Sequence, residues 1–144
     1  MTTYPAWLVW ALLSAVFAAL TAIFAKIGLE GIDSDYATLF RTVIIAVLLF
    51  AFVMATGKWT DPAAIPRRSW IFLTLSALAT GASWVCYFRA LKVGDASQVA
   101  PVDKASVILV ALFAFAFLGE RPGAREWTGI GLVAAGVVVL ALRR

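Results

Sequence analysis

The sequence contains no histidine and a single cysteine, Cys86, and these two shortages exclude most metal and hydrolase chemistry. One cysteine cannot form an intramolecular disulfide. Without histidine the chain has no His-based catalytic triad, no His-ligated haem and no Cys/His zinc cluster. The sequence also carries no phosphate-binding loop. We therefore expect no catalytic residues, no bound metal and no cofactor.

Charged residues are scarce as well. They make up 14% of the 144 residues, whereas a soluble domain carries about 25%. Hydrophobic residues make up 63% and the mean hydropathy is +0.96, so the chain cannot cover a water-facing surface. In so apolar a chain, the net charge of +4 indicates basic residues that flank membrane spans rather than a nucleic-acid site. The sequence predicts an integral membrane protein whose partner is the lipid bilayer, with no nucleic-acid partner.

Five segments are long and apolar enough to cross a bilayer core, which takes roughly 20 helical residues. They cover approximately residues 5–25, 36–56, 69–91, 96–118 and 126–142, and charged or Gly/Pro-containing segments separate them. No basic region precedes the first span, which is also too long for the apolar part of a signal peptide, so we expect it to be retained. The predicted fold is all-α, with five transmembrane helices in a single domain over residues 1–144.

An odd number of spans places the two termini on opposite sides of the membrane, so the loop charges decide the orientation. Each side carries five basic residues when the intramembrane Arg41 and Lys104 are set aside: Lys58, Arg67, Arg68, Arg121 and Arg125 on the N-terminal side, and Lys26, Arg89, Lys92, Arg143 and Arg144 on the other. Equal counts give no preferred orientation. We predict insertion both ways round and an antiparallel homodimer of ten helices. A single orientation fixed by local loop effects is the alternative.

Three charged residues lie inside the predicted spans: Arg41, Asp103 and Lys104. A charge within a span is costly unless it faces a cavity or a partner, so each is a candidate for substrate binding or coupling. Lys104 lies eight residues past Ala96, about 12 Å along a helix axis. Neighbouring residues point about 100° apart on a helix, so Asp103 and Lys104 are not expected to face each other. An ion pair between Arg41 and Asp103 is the structural alternative.

Aromatic and small polar residues at helical spacing suggest a wall for the planar or apolar part of a substrate. In the third span one stripe contains Gly81, Trp84 and Phe88, with Thr80 and Tyr87 near it, and in the first span a comparable stripe contains Ser14, Phe17 and Thr21. Packing against a neighbouring helix is the alternative. Pro101, in the first turns of the fourth span, either shapes the start of that helix or acts as a hinge.

The last span contains several small residues, among them Gly129, Gly131 and Gly136. Small residues allow close approach between membrane helices, where packing replaces the hydrophobic effect. These glycines are therefore the predicted dimer interface.

The second half of the chain contains four motifs, which are YFRALKVGDAS (87–97), APVDKAS (100–106), LGE (118–120) and GIGLVAAGVVVL (129–140). With them the sequence resembles the EamA-type proteins of the drug/metabolite transporter superfamily, in particular their five-helix bacterial and archaeal subgroup. The spacing of all five spans fits the same pattern. In the larger members, ten helices form two inverted five-helix repeats with the substrate cavity between them, so this chain resembles one repeat.

The resemblance implies a secondary transporter in the cytoplasmic (inner) membrane that moves a small metabolite, amino-acid-like or another small organic solute, by alternating access. We expect export and a homodimer. Two alternatives stay open: a flippase for a lipid-linked substrate, and a non-transporting membrane subunit.

Overall fold

The structure, a computed structural model, describes residues 5–142, and all regular elements within that range are helical. The elements are α1 (Ala6–Gly28), α2 (Ser34–Ala55), a 3-10 turn (Pro62–Ala64), α3 (Arg67–Val93), α4 (Ala96–Asp103), α5 (Ser106–Phe113), a π-helical segment (Ala114–Leu118) and α6 (Ala124–Ala141). The predicted all-α fold is confirmed. Arg143 and Arg144 of the loop-charge count lie outside the described residues.

Five helical spans of residues 5–142 are long and apolar enough to cross a membrane, which confirms that prediction. The fourth is Ala96–Leu118, made of α4, α5 and the π-helical segment. The other four are α1, α2, α3 and α6. Each observed end lies within three residues of its predicted position, because the charged and Gly/Pro-containing segments that marked the ends also terminate the helices.

Local side-chain contacts explain two of the helix starts. The Asp33 carboxylate accepts hydrogen bonds from the amides of Asp35 and Tyr36 at 2.9 and 3.0 Å, which satisfies N–H groups that the first turn of α2 leaves free. At α6, the Glu126 carboxylate accepts from the Gly123 amide at 2.5 Å. The fourth span ends at Gly119, whose φ of +69° favours glycine because a Cβ is strained in that region.

The fourth span is not one continuous α-helix, although its apolar run predicts a single span. Pro101 lacks an amide hydrogen, and the backbone shifts to i to i−3 hydrogen bonds immediately after it. Lys104 N donates to Pro101 O at 3.0 Å, and Ala105 N donates to Val102 O at 2.9 Å. The break therefore falls at the predicted intramembrane charges, where α4 ends and α5 begins.

The chain packs as two compact units. The first, the hairpin unit, covers residues 23–93, where α2 packs along α3 and the side chains of Leu29 and Leu91 are fully buried. The second, the terminal unit, covers the described residues 5–22 and 94–142, where α4 and α5 each pack against α6.

Most large apolar side chains of the described residues are exposed on the protomer, as Leu48 and Val139 illustrate. In a membrane such side chains face lipid or another chain, so their exposure carries no penalty.

Candidate functional site

A groove of about 620 Å³ lies between α2 and α3 in the hairpin unit. Its lining includes Asp35, Thr38, Leu39 and Thr42 from α2, and Leu73, Ser76, Thr80, Gly81 and Trp84 from α3. On α2 the polar positions 35, 38 and 42 are three and four residues apart, and on α3 Ser76 and Thr80 are four apart. These spacings place each set on one helix face. Two apolar membrane helices therefore meet along a polar stripe.

The hydroxyls of this stripe differ in whether they form hydrogen bonds within the protein. Thr38 donates to Ser34 O and Thr42 donates to Thr38 O, both at 2.7 Å, so each keeps an oxygen that can accept. The side chains of Ser76 and Thr80 form no hydrogen bond within residues 5–142, so their hydroxyls can still donate to a bound molecule.

An ion pair between Asp35 and Arg89 links the first turn of α2 to the end of α3. Arg89 Nε donates to Asp35 Oδ1 at 2.8 Å and Nη2 donates to Oδ2 at 2.5 Å, a bidentate arrangement. Each charge also suits its helix end, with a carboxylate near an N-terminus and a guanidinium near a C-terminus. Because Asp35 lines the groove, this pair forms one end of it.

Arg41 and Trp84, both predicted site residues, are in contact. The Arg41 guanidinium carbon lies 4.3 Å from the Trp84 ring centroid and 5.0 Å from that of Phe88, a cation–π arrangement between α2 and α3. Phe88 is buried, and Tyr87, a third predicted residue, lies with its ring centroid 6.3 Å from that of Phe88. Arg41 takes part in neither ion pair that the described residues form.

Lys104 and Asp103, predicted to point apart, form an ion pair with 3.3 Å between Nζ and Oδ2, so that expectation is wrong. The 100° angle describes the directions in which the two side chains leave the helix, and it does not fix where their ends lie. The flexible lysine side chain spans the remaining separation. Both side chains are partly exposed on the protomer, at the middle of an apolar span.

The remaining predicted site residues lie in the terminal unit. Ser14 is exposed on α1. Gly129, Gly131 and Gly136 are exposed on α6, and a Cβ added at any of them would meet no described atom within 4 Å beyond the helix's own neighbouring backbone. Gly129 and Gly136 are seven residues apart and share a face, while Gly131 points about 200° from Gly129.

Sequence reasoning missed Thr38, Thr42 and Ser76 as groove residues, and it treated Arg89 only as a loop charge. The 35, 38, 42 spacing of polar residues on α2 was a usable signal. What the sequence could not supply was the pairing of α2 with α3, because several faces of each helix are equally apolar.

Comparison with known proteins identifies a family and several relatives. Residues 5–142 match the model of the EamA-like transporter family. An uncharacterised transporter in the cobO 3' region of a Sinorhizobium species is 57% identical over 136 residues, 94% of this chain and 96% of that protein.

Two more distant relatives have different lengths. The uncharacterised transporter YxxF of Bacillus subtilis is 23% identical over 95% of this chain, which spans only 43% of that protein. A probable 4-amino-4-deoxy-L-arabinose-phosphoundecaprenol flippase subunit ArnE of Hamiltonella defensa is 29% identical over 60% of this chain and 76% of its own length. No solved structure matches the chain.

Five apolar helical spans and a family match over nearly the whole chain lead to one assignment. The chain belongs to the EamA-like transporter family and is a multi-pass protein of the bacterial inner membrane.

Proposed function

We propose that the protein is a secondary transporter that exports a small organic solute across the cytoplasmic membrane by alternating access, and that it works as an antiparallel homodimer of ten helices. The groove between α2 and α3 carries this proposal. It combines hydroxyls, one indole ring and an adjacent guanidinium within otherwise apolar spans. A few oriented polar groups in an apolar cleft are what a small-molecule site requires.

The ion pair of Asp103 and Lys104 is a reason to propose that a second chain packs against this one. Charges at mid-span are costly against hydrocarbon and are expected to face a protein partner or a water-filled cavity. Both side chains are partly exposed on the protomer. A partner that covers them would complete a cavity at the centre of the membrane, where binding sites of repeat-built transporters lie.

The proposed mechanism follows from symmetry. Two identical five-span chains inserted in opposite directions are related by a two-fold axis in the membrane plane. The state open to one side is then equivalent to the state open to the other. Rocking of one chain against the other would alternate access to the shared cavity, and a solute or ion gradient would drive it.

The test combines binding and transport. Purified protein in detergent is screened by thermal unfolding against L-phenylalanine, L-threonine, phenylacetate, succinate and tetraphenylphosphonium, and each stabilising compound is then followed in proteoliposomes. Trp84→Ala should abolish stabilisation and uptake. Leu78→Ala, on an exposed part of α3 outside the groove lining, is the matched control and should keep both. Equal activity of the two variants would contradict the groove as the site.

The direction of transport needs its own measurement. Cells that express the protein are preloaded with a compound that passed the screen, and its release is followed against cells with the Trp84→Ala variant. Faster release by the unmodified protein supports export, while accumulation from the medium would contradict it.

A lipid-linked substrate is the second candidate, since one relative is named as a probable flippase subunit. The groove lining includes Leu39 and Leu73, which are 60% and 61% exposed on the protomer, so an acyl or prenyl chain could reach it from the bilayer. Undecaprenyl phosphate that copurifies with the protein, together with inactive proteoliposomes for all five soluble compounds, would favour this candidate.

A further inference from the structure

Arg41 is the one basic residue of α2 and lies seven residues past Ser34, about 10 Å along the axis. A guanidinium stays charged at any physiological pH. At this depth it requires a counter-ion, a polar cavity or another compensating contact.

The acidic residues of the hairpin unit are engaged elsewhere. Asp33 accepts from two backbone amides of α2, and Asp35 holds Arg89. Asp61 accepts from the Ala63 amide, and Glu30 lines a separate pocket with Lys26 and Lys92. No carboxylate of residues 23–93 therefore serves Arg41 as a counter-ion.

The two ring contacts of Arg41 leave its hydrogen-bonding capacity unused. A cation–π contact consumes none of the five N–H donors of a guanidinium, and Arg41 forms no side-chain hydrogen bond within the described residues. Arg41 is half-buried, so part of the residue remains accessible.

Arg41 lies next to two residues of the groove lining. Trp84, whose ring lies under the guanidinium, lines the groove, and so does Thr38, one helical turn before Arg41 on α2. An anionic group placed beside Trp84 in the groove would therefore lie next to the guanidinium. Any further polar group of the same ligand could bind the unused hydroxyls of Ser76 and Thr80.

We propose that Arg41 is the anion-binding residue of the groove and that the substrate is a small organic carboxylate whose planar or apolar part packs on Trp84. This inference rests on the groove as the transport site. One guanidinium matches one carboxylate in charge and in its two parallel hydrogen bonds. A phosphate dianion would leave one negative charge without a partner at the groove.

The test uses pairs of ligands that differ only in charge. Titration calorimetry on the purified full chain compares phenylacetate with phenylacetamide, and 4-methylvalerate with 4-methylvaleramide. The carboxylate of each pair should bind roughly 10- to 100-fold more tightly, the range expected for hydrogen bonds to a charged group. Phenyl phosphate should bind more weakly than phenylacetate.

Matched variants assign the preference to one residue. Arg41→Gln should bind the amides as before and lose the preference for the carboxylates. Arg68→Gln removes another guanidinium of the same unit, which lies 5.9 Å from the Phe72 ring centroid and outside the groove lining, and it should behave as the unmodified protein. A carboxylate preference that survives Arg41→Gln overturns the proposal.

A measurement on the unmodified protein covers the case in which Arg41→Gln does not fold. Phenylglyoxal modifies accessible arginines, and mass spectrometry reports each site. Phenylacetate should slow modification of Arg41 several-fold and leave Arg68 unaffected, and equal rates at Arg41 with and without phenylacetate overturn the proposal. If the amides, phenyl phosphate or tetraphenylphosphonium bind more tightly than the carboxylates, the proposal for Arg41 is overturned and the transporter proposal stands. If no compound binds, both proposals are overturned.

Discussion

Lys26 and Lys92 cap the ends of each other's helices. Lys26, near the end of α1, donates from Nζ to Leu91 O near the end of α3 at 2.7 Å. Lys92, at the end of α3, donates to Leu29 O and Ile32 O just after α1, both at 2.7 Å. Carbonyl groups at a helix C-terminus lack intrahelical donors, and a cation there also suits the helix dipole. The two ammonium groups thus join the ends of α1 and α3.

Replacing Lys92 should destabilise the protein. Lys92→Met removes the donor to two carbonyl groups and should cost about 1 to 2 kcal/mol of unfolding free energy, since the site is exposed and part of the loss is made up by water. For a chain of this size the melting temperature should fall by roughly 2 to 8 °C. Thermal unfolding in detergent measures the change.

Lys58→Met is the control for that experiment, because Lys58 is an exposed lysine whose side chain makes no hydrogen bond within residues 5–142. Its melting temperature should match that of the unmodified protein. The capping role is refuted if both variants melt at the same temperature.

Lys104 should be required for transport. Lys104→Ala removes the cation from the middle of the fourth span and leaves Asp103 without its partner, so uptake should be abolished while expression and dimer formation persist. Uptake of radiolabelled phenylacetate and L-phenylalanine into proteoliposomes measures the effect. Arg125→Ala, an exposed cation in the first turn of α6, should leave uptake unchanged. Normal uptake by Lys104→Ala would show that this residue is not part of the proposed central cavity.

The glycines of α6 should form the main dimer contact. Leucine at both Gly131 and Gly136 should leave monomers, because the added side chains keep the backbones of two helices apart. The protomer itself should fold, since a Cβ at either position meets no described atom within 4 Å outside the helix's own nearby backbone. Crosslinking in membranes reports the dimer fraction.

The two glycines point to different sides of α6, so each single variant should also be compared. The one that lowers the dimer fraction identifies the contacting face. Val47→Leu, on an exposed part of α2, is the control for added apolar volume. A dimer that withstands all three glycine variants would place the interface on another helix.

Loop charge should decide orientation. Three lysines added after Arg144 should favour insertion with the C-terminus inside, and three added before Tyr4 should favour the opposite. Each biased variant should lose phenylacetate release when expressed alone and regain it on coexpression. A single cysteine at the C-terminus, in a chain with Cys86→Ser, should be labelled from both sides of intact cells when no lysines are added. Labelling from one side only would exclude the antiparallel dimer.

The spans were predictable because charge is scarce here. The charged and Gly/Pro-containing segments between the spans mark where helices end, and the charges inside the spans, at Arg41, Asp103 and Lys104, are the exceptions. Those exceptions are where the local geometry could not be read from the sequence. The proline before Asp103 predicts some disturbance, but whether the backbone kinks, tightens or starts a new helix depends on which carbonyl groups accept the following amides.

The groove was less accessible to prediction than the spans. Trp84 and Arg41 could each be identified because large or charged residues stand out in an apolar helix. Thr38 and Ser76 stand out less, because single hydroxyls are common in membrane helices and often bond only the preceding turn, as that of Thr38 does. Their role depends on which faces of α2 and α3 meet, and packing rather than hydrophobic patterning fixes that choice.

The two irregular stretches of the fourth span act in opposite senses on its length. The tight bonding after Pro101 lengthens the helix, since a 3-10 turn rises about 2.0 Å per residue against 1.5 Å for an α-helix. The wider π-helical turn at Ala114–Leu118 shortens it. With both ends of the span held at their depth, the segment between them, Ser106–Phe113, would shift along the membrane normal if both irregularities grew or relaxed together.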